Sequence, residues 1–491
     1  MNYLRNWVDP AVPLDVRGIA ILHNASNDLI NELRRQVAGG PSADFHLLGA
    51  DDLAAGHLTR HLFPNSGVPP RLSPAEALLA QLLSTPYRPS RKLLKRMQGT
   101  IRAHDRFQLV ENQDLARQRI LRVARHDPDR PNGSVVVVKG GPGTGKTAIA
   151  TRVLADLCGF EHANPRLMSP SGTVTQQLQR ALGEDATGLI ATLGSGLPSG
   201  ITREHSVILL DEAHRIRRGG GVLEAMIERC AATVFFLDER QIIRPGEGVT
   251  SDELRTLAAW AGRAFEPVDL TVQFRCGGSR LYQESVDAFF DRDGHAHPWS
   301  GGTEDYDVAV ADSPLQLDAW TAAHDEGGEG AVARITAGFC WEWTRADRPP
   351  LAPDVSITWA DAAGTQRWSC PWNSGFSTNA HEGVPGRVFW GTDPGGRRQV
   401  GCIYTAQGME YEYSAVIMGP DLIRTPDGWQ ASPACSHDPV MRNVTAEEYL
   451  PYALNTYRVL ATRGILGTRL YSTDPQTQAY LKSLMPVRTN A

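Results

Sequence analysis

The amino-acid sequence predicts an α/β protein with two parallel-sheet domains in tandem and a small α/β region ahead of them. Three observations carry this expectation. Short, wholly apolar strands alternate with helices from Ser134 onward, the pattern of a parallel sheet covered on both faces. A glycine-rich GxxxxGKT turn joins the first of those strands to a helix. A second block of the same alternation begins near Pro267.

The elements follow in order. From Met1 to about Arg106 the chain reads as a small α/β region, with a strand at Gly18-Ile19-Ala20-Ile21-Leu22. A helix is predicted from Pro74 to Leu83, with Ser73 as N-cap and proline at the first helical position. Between Arg88 and Arg130 the charge turns basic, with Arg91, Lys92, Lys95, Arg96, Arg117, Arg119, Arg122 and Arg125. This stretch suits either two solvated amphipathic faces or a contact with nucleic acid. Strands are then predicted at Ser134–Val138, Leu167–Met168, Val207–Leu210 and Thr233–Leu237, with a helix from Thr147 to Leu157. In the second block they fall at Ala331–Ala337, Val400–Thr405, Ser414–Met418 and Arg469–Ser472. Asp291–Gly330 and Ala346–Arg398 are rich in Gly, Pro, Asp and Trp and read as loop insertions. The division is therefore an accessory region and linker over 1–106, a first domain over 107–266 and a second over 267–491.

Composition narrows the class. A chain of 491 residues exceeds one ordinary core. The net charge of -6 excludes a surface coated in basic charge, though not a local basic groove. Seven scattered cysteines, none in a CxxC pair, read as small buried residues of a reducing compartment. No basic cluster followed by an apolar run opens the chain, and nothing approaches the roughly 18 apolar residues of a membrane span. A cytoplasmic protein with no membrane partner is expected.

Gly140-Gly141-Pro142-Gly143-Thr144-Gly145-Lys146-Thr147 lies between a valine strand and a helix, as a phosphate-cradling loop requires. Glycines let the backbone curl until several N–H groups face one anion, and the helix N-terminus adds positive potential. Lys146 is expected to reach the β- and γ-phosphates of ATP, and the Thr147 hydroxyl to ligate Mg2+. A second signal is independent. Leu209-Leu210-Asp211-Glu212-Ala213-His214 sets two carboxylates at the end of a buried strand. Phosphoryl transfer to water needs one acid for the metal and one to direct the water, which assigns Asp211 and Glu212 respectively.

With these motifs placed, the rest of the chain, from about Phe107 to Asp474, resembles a superfamily 1 helicase core. More narrowly, it is similar to the Schlafen group 3-like DNA/RNA helicase domain. The resemblance implies two RecA-like lobes. Phe107-Gln108-Leu109-Val110-Glu111-Asn112-Gln113 resembles the segment whose glutamine reads adenine, which implies that role for Gln113. Ser169-Pro170-Ser171-Gly172-Thr173 follows the second strand, where related enzymes touch a single strand. Leu237-Asp238-Glu239-Arg240-Gln241 resembles the third motif and implies Gln241 as γ-phosphate sensor. Gln273-Phe274-Arg275-Cys276 resembles the fourth, with Arg275 for the nucleotide. Tyr404-Thr405-Ala406-Gln407-Gly408-Met409-Glu410-Tyr411 resembles the fifth, which brings Gln407, Gly408 and Glu410 to the nucleotide side. The sixth is matched by Asn455-Thr456-Tyr457-Arg458-Val459-Leu460-Ala461-Thr462-Arg463-Gly464, where Arg463 is the second finger candidate and Arg458 a further phosphate contact.

Two departures accompany the resemblance. Only roughly 40 residues separate the second strand from the acidic one, too few for a large inserted subdomain. Relatives often carry a nuclease before a leucine-histidine-asparagine segment, which here is Leu22-His23-Asn24, with a linker-like Arg88-Pro89-Ser90-Arg91-Lys92-Leu93-Leu94 after it. The nuclease portion is therefore expected to be missing, and no nuclease activity is expected of this chain.

The resulting expectation is an ATP- and Mg2+-dependent motor on single-stranded DNA or RNA. The alternative is a nucleic-acid-stimulated switch, or a scaffold in a bacterial defence or toxin system with a protein partner such as a nuclease. His295 and His297, beside Asp291 and Asp293, read as a solvated loop because no further ligands at zinc spacing follow. Trp341, Trp343, Trp368, Trp372 and Trp390 suit packing ahead of base stacking.

Overall fold

The structure, a computed structural model, describes residues 18–22, 25–37, 45–51, 99, 109, 111–125, 133–160, 163–183, 188–194, 196–198, 200–271, 279–292, 296–299, 306–326, 330–345, 349–375, 381 and 383–487. Outside them lie the helix expected from Pro74, His23 and Asn24, the linker-like stretch at Arg88, Phe107 and Gln108, the fourth-motif segment with Arg275, and Asp293 with His295.

The N-terminal unit is a small βαβ arrangement. Strand β1 (Gly18–Ile21) pairs in parallel with β2 (Phe45–Leu48), and helix α1 (Asn27–Val37) runs between them. Ile30 and Leu48 are fully buried there.

The remainder holds two parallel sheets. The first is preceded by α2 (Glu111–Ala124) and contains β3 (Ser134–Gly140), α3 (Lys146–Leu157), β4 (Asn164–Ser169), α4 (Gly172–Leu182), β5 (Ile190–Thr192), β6 (Ser206–Leu210), α5 (Val222–Arg229), β7 (Ala232–Leu237), α6 (Ser251–Trp260) and β8 (Ala264–Leu270). Its strand order is β5-β4-β6-β7-β3-β8, every pairing parallel. Val135, Val136, Val137 and Val138 of β3 are buried because helices cover both faces, and each such side chain contributes about 1.5–3 kcal/mol. The edge strand β8 pairs with β3 from Ser134↔Ala264 to Gly140↔Leu270, so this sheet continues past Glu266, where the sequence reading ended the first domain. Part of the basic stretch is paired inside this lobe, while Arg91, Lys92, Lys95 and Arg96 lie outside the described residues. Arg117 binds Asp156 at 2.6 Å and Asp114 at 2.9 Å, Arg122 meets Glu266 at 3.0 Å, and Arg125 lies over the Phe160 ring.

The second sheet belongs to a lobe built from α7 (Arg280–Phe289), β9 (Asp307–Val310), α8 (Pro314–His324), β10 (Ala333–Ala337), β11 (Val355–Asp361), β12 (Gly364–Cys370), β13 (Val400–Cys402), α9 (Ile403–Ala406), β14 (Tyr411–Met418), β15 (Leu422–Thr425), β16 (Gly428–Ala431), α10 (Ala446–Ala461), β17 (Gly464–Ser472) and α11 (Pro475–Leu484). Five of these strands form the order β13-β10-β14-β17-β9, again parallel throughout. Two RecA-like parallel-sheet lobes, as expected, are the result.

Three sequence expectations change here. The stretch 291–330 is no mere loop, since it supplies edge strand β9 and α8, whose Leu317 and Trp320 enter the core. Within 346–398 the chain makes the antiparallel hairpin β11–β12. The strand expected to Thr405 stops at Cys402 and turns into α9, closed by Gln407 N–H donating to Ile403 O at 2.9 Å. Within the strand, Gly401 lies close against Trp390, where a side chain would have no room.

One face of the second sheet rests on Val308, Val416, Leu454, Tyr457 and Leu470, and the other on Ile335, Ile357, Trp368 and Ile417. Trp368, Trp372 and Trp390 are buried in packing roles, while Trp341 and Trp343 sit half-buried against the same core. Cys158, Cys230, Cys340 and Cys402 are buried. Among the described residues no helix is long and apolar enough to cross a membrane.

Candidate nucleotide site and the seam between the lobes

The phosphate loop owes its shape to glycine. Gly143 and Gly145 have φ of 75° and 82°, in the left-handed region that side chains avoid. A Cβ on Gly145 would lie 2.2 Å from the Gln113 Nε2 atom. Gln113 is buried and donates from that nitrogen to Thr144 O at 2.9 Å, so the expected adenine reader braces the loop from α2. Pro142 and Thr144 are buried, and the Thr144 hydroxyl donates to Gly141 O at 3.0 Å. Lys146 opens α3 and curls back, its ammonium donating to Gly140 O at 2.7 Å and Gly141 O at 2.8 Å. That places a cation inside a ring of backbone amides at a helix N-terminus, which is an anion site by charge and by hydrogen bonding.

At the end of β6 the acid pair meets the loop. The Thr147 hydroxyl donates to Asp211 Oδ2 at 2.6 Å, and Asp211 Oδ1 accepts from Glu212 N–H at 2.9 Å. Asp211 is fully buried, and burial, helped by the Glu212 charge, pushes its carboxyl up to about 6. Glu212 goes the other way. Burial alone would raise it, but His214, Lys146 and Arg215 hold it well below the usual carboxylate range. His214 Nε2 stands 2.9 Å from Glu212 Oε2. Glu212 also has φ 57°, a strained value for a residue with a side chain. Two neighbouring carboxyls thus differ in proton affinity, one kept ionised and the other inclined to hold a proton.

The donor set fits Mg2+. Thr147 and Asp211 offer hard oxygen atoms side by side at the phosphate loop. Among the described residues no cluster of three His, Cys, Asp or Glu could hold a metal alone. A cation completing its shell with phosphate and water oxygens is the one such a site suits.

The second lobe reaches this site along a seam. Gln283 of α7 has its amide 3.1 Å from where a Cβ on Gly141 would stand. Gln241 is buried at the end of a short turn, where its Nε2 donates to Asp238 Oδ2 at 2.7 Å. Its Oε1 accepts from Arg463 Nη2 at 3.3 Å, and its carbonyl accepts from Gln407 Nε2 at 2.8 Å. The neighbouring Ile242 carbonyl accepts from Asn455 at 2.8 Å. Arg463 is buried and also donates to Val459 O at 2.9 Å and Met409 O at 3.4 Å. Gly408 sits at φ 91°, and a Cβ there would come 2.8 Å from Val174 of α4. Glu410 is exposed. Arg458 lies in a different ring: it donates to Phe290 O and Asn455 Oδ1, each at 2.5 Å, and pairs with Asp287 at 3.3 Å. Arg240 of the first lobe shares that Asp287 at 2.8 Å.

The match of the Schlafen group 3, DNA/RNA helicase domain model extends over residues 133–474, most of the chain and all of this site except Gln113. The chain belongs to that family. No curated protein matches it. Among solved structures, this helicase domain is similar to the arterivirus nonstructural protein 10 helicase, at 12% identity and TM-score 0.32, covering 71% of this chain and 62% of that one. It is also similar to Pif1 helicase from Candida albicans, at 9% identity and TM-score 0.32, covering 78% and 98%. A third likeness is to S. cerevisiae Dbp5 bound to RNA and ADP BeF3, at 13% identity and TM-score 0.35, covering 79% and 89%.

The helicase-domain seam holds residues that sequence reasoning missed. Arg215, three positions after Glu212, donates to Ser171 Oγ and to Gln407 O, both at 3.1 Å. Arg244 of the first lobe meets Asp438 of the second at 2.8 Å and lies 4.1 Å over the Tyr404 ring, whose hydroxyl bonds the same Asp438. An arginine directly after the acid motif was the one available signal for Arg215. Arg244 and Asp438 had none.

Proposed function

We propose that the chain hydrolyses ATP and couples the cycle to single-stranded DNA or RNA, moving along the strand or unwinding a duplex. In this reading the two motor lobes are the regions expected at 107–266 and 267–491, with Pro267–Leu270 completing the first sheet, 1–106 is an accessory region and linker, and the setting is cytoplasmic. The observation that carries it is Arg463 of one lobe seated on Gln241 of the other.

The phosphates of ATP rest on Gly140, Gly141, Pro142, Gly143, Thr144 and Gly145. Lys146 exchanges its loop carbonyls for phosphate oxygens, and Gln113 borders the base. Thr147 and Asp211 hold Mg2+, which when bound neutralises phosphate charge as it develops. Glu212, kept ionised, orients the attacking water and takes its proton toward His214. Gln241 senses the γ-phosphate, and Arg463, with Arg275, supplies permanent positive charge there. Gln407, Gly408, Glu410 and Arg458 line the second lobe's side of the cleft. A strand lying across both lobes favours their closure, so hydrolysis depends on it.

One observation favours a reduced version, a strand-stimulated switch that unwinds nothing. Among the described residues only α4 and the three-residue β5 stand between β4 and the acidic strand, with no inserted strand-separating subdomain. The test measures ATPase rate with and without single-stranded DNA and RNA, on wild type and on Lys146→Ala, beside strand displacement on a tailed duplex. Turnover in Lys146→Ala equal to wild type would sink the site. Stimulation without displacement would select the switch.

A further inference from the structure

Arg215 ends the one-turn helix Ala213–Arg215 that begins at the acid pair, and its backbone N–H donates to Glu212 O at 2.9 Å. Its guanidinium is half-buried, and among the described residues no carboxylate lies at ion-pair distance from it. Its partners are neutral instead: Ser171 Oγ at 3.1 Å, Gln407 O at 3.1 Å and Tyr404 O at 3.5 Å. Burial lowers the proton affinity of this cation, while the nearby Glu212 and Glu247 charges oppose that loss without bonding to it. Such an arrangement persists where the acceptors matter by position.

Their positions are informative. Gln407 and Tyr404 belong to the second lobe, on the segment that also donates to Gln241 O. Ser171 belongs to the first lobe and caps α4, its hydroxyl accepting from Val174 N–H. A planar guanidinium carries five donors in a fixed fork, so it cannot keep these bonds if either segment moves. Lobe separation removes two of its three acceptors. A strand lying on the Ser171 segment would shift the third. Either change is felt three residues away, in the strained turn that holds Glu212.

We infer that Arg215 is a positioning residue that couples lobe closure and strand occupancy to the orientation of Glu212. The inference rests on the strand-stimulated ATPase proposed above and adds the residue that carries the stimulation.

The experiment uses the full chain and measures ATPase kcat and KM across a titration of oligo(dT) and oligo(U), in wild type, Arg215→Met and Arg215→Lys. In Arg215→Met the ratio of stimulated to basal turnover falls about tenfold, while KM for ATP moves less than about twofold. Arg215→Lys lies between, because one ammonium can satisfy part of the acceptor set. Equal loss of basal and stimulated turnover in Arg215→Met, with the ratio kept, marks a merely structural arginine and overturns the inference. If Arg215→Met shows no cooperative melt, Ser171→Gly takes its place, since glycine keeps most of the cap while removing the hydroxyl. An unchanged ratio in Ser171→Gly overturns the inference equally. A wild type indifferent to both oligonucleotides would instead fail the motor reading beneath it, and this inference with it.

Discussion

Arg463, carried by the loop after α10, donates to the side-chain oxygen of Gln241 in the opposite lobe at 3.3 Å, and both residues are buried. The bond is longer than the usual 2.9–3.0 Å for N–H to oxygen. Arg463 is thus held across the seam by a polar partner it can give up. Replacing it with alanine is expected to lower kcat by about 10³ or more, the range for a phosphate-stabilising arginine. Gln241→Ala should lower kcat less, and the double variant should be far from the product of the two. A strictly multiplicative double variant, in steady-state ATPase assays, would mean that the two residues act separately.

How much of this was legible beforehand depends on how local each signal is. The phosphate loop and acid pair were readable because four valines, a run of glycines and Lys146-Thr147 declare strand, turn and helix within one window. Strand β9 was not, since four residues set in a Gly- and Asp-rich stretch take their structure from pairing with β17. Arg215 and Gln407 stand 192 positions apart, and Arg244 and Asp438 stand 194 apart. Nothing near any of them in sequence marks the contact. Arg458 was singled out by the sixth-motif resemblance, and in the structure its guanidinium meets Asp287, Asn455 and Phe290 O, contacts that no local signal announces.

Gly408 offers a test of lobe approach that leaves the phosphate loop untouched. Its φ of 91° strains any side chain, and a Cβ would lie 2.8 Å from Val174 Cγ2 across the seam. Gly408→Ala is expected to leave ATP affinity within about threefold and to lower strand-stimulated turnover by about tenfold or more. Fluorescent-nucleotide titration beside ATPase assays checks both halves. Full stimulation in the variant would show that the lobes need not come this close.

Asp211 gives a pH-dependent outcome whose sign follows from its environment. Its folded-state pKa is raised from 3.8 to about 6, so folding binds the proton more tightly than the unfolded chain does. Its stabilising contribution is therefore full below about pH 4 and lost as pH rises through about 6. Glu212, depressed, contributes in the opposite sense, above its ordinary range and lost in acid. Asp211→Asn keeps an acceptor for Thr147 and removes the buried charge. In chelator, the variant should melt above wild type at pH 8, by an amount on the order of 2 kcal/mol, and level with it near pH 4. It should also lose Mg2+-dependent turnover. Identical melting curves at pH 8 would contradict the burial argument.

The contact between Arg244 and Asp438 ties the lobes farther along the seam. Asp438 is nearly fully buried, accepts from Arg244 at 2.8 Å and from the Tyr404 hydroxyl, and caps the turn after it through Val440 N–H at 3.0 Å. Removing its carboxylate leaves Arg244 with Glu247 at 3.1 Å and the face of Tyr404, and leaves a half-buried phenol without its acceptor. Breaking one side of such a pair costs more than the pair is worth, because the remaining groups stay desolvated. Asp438→Ala is expected to lower stability by about 2–4 kcal/mol in urea unfolding, and Asp438→Asn by less, since an amide oxygen still accepts from both partners. In a cycle with Arg244→Ala, the coupling between the two positions should be about 1–2 kcal/mol. Coupling near zero would mean that the lobes meet here without being held.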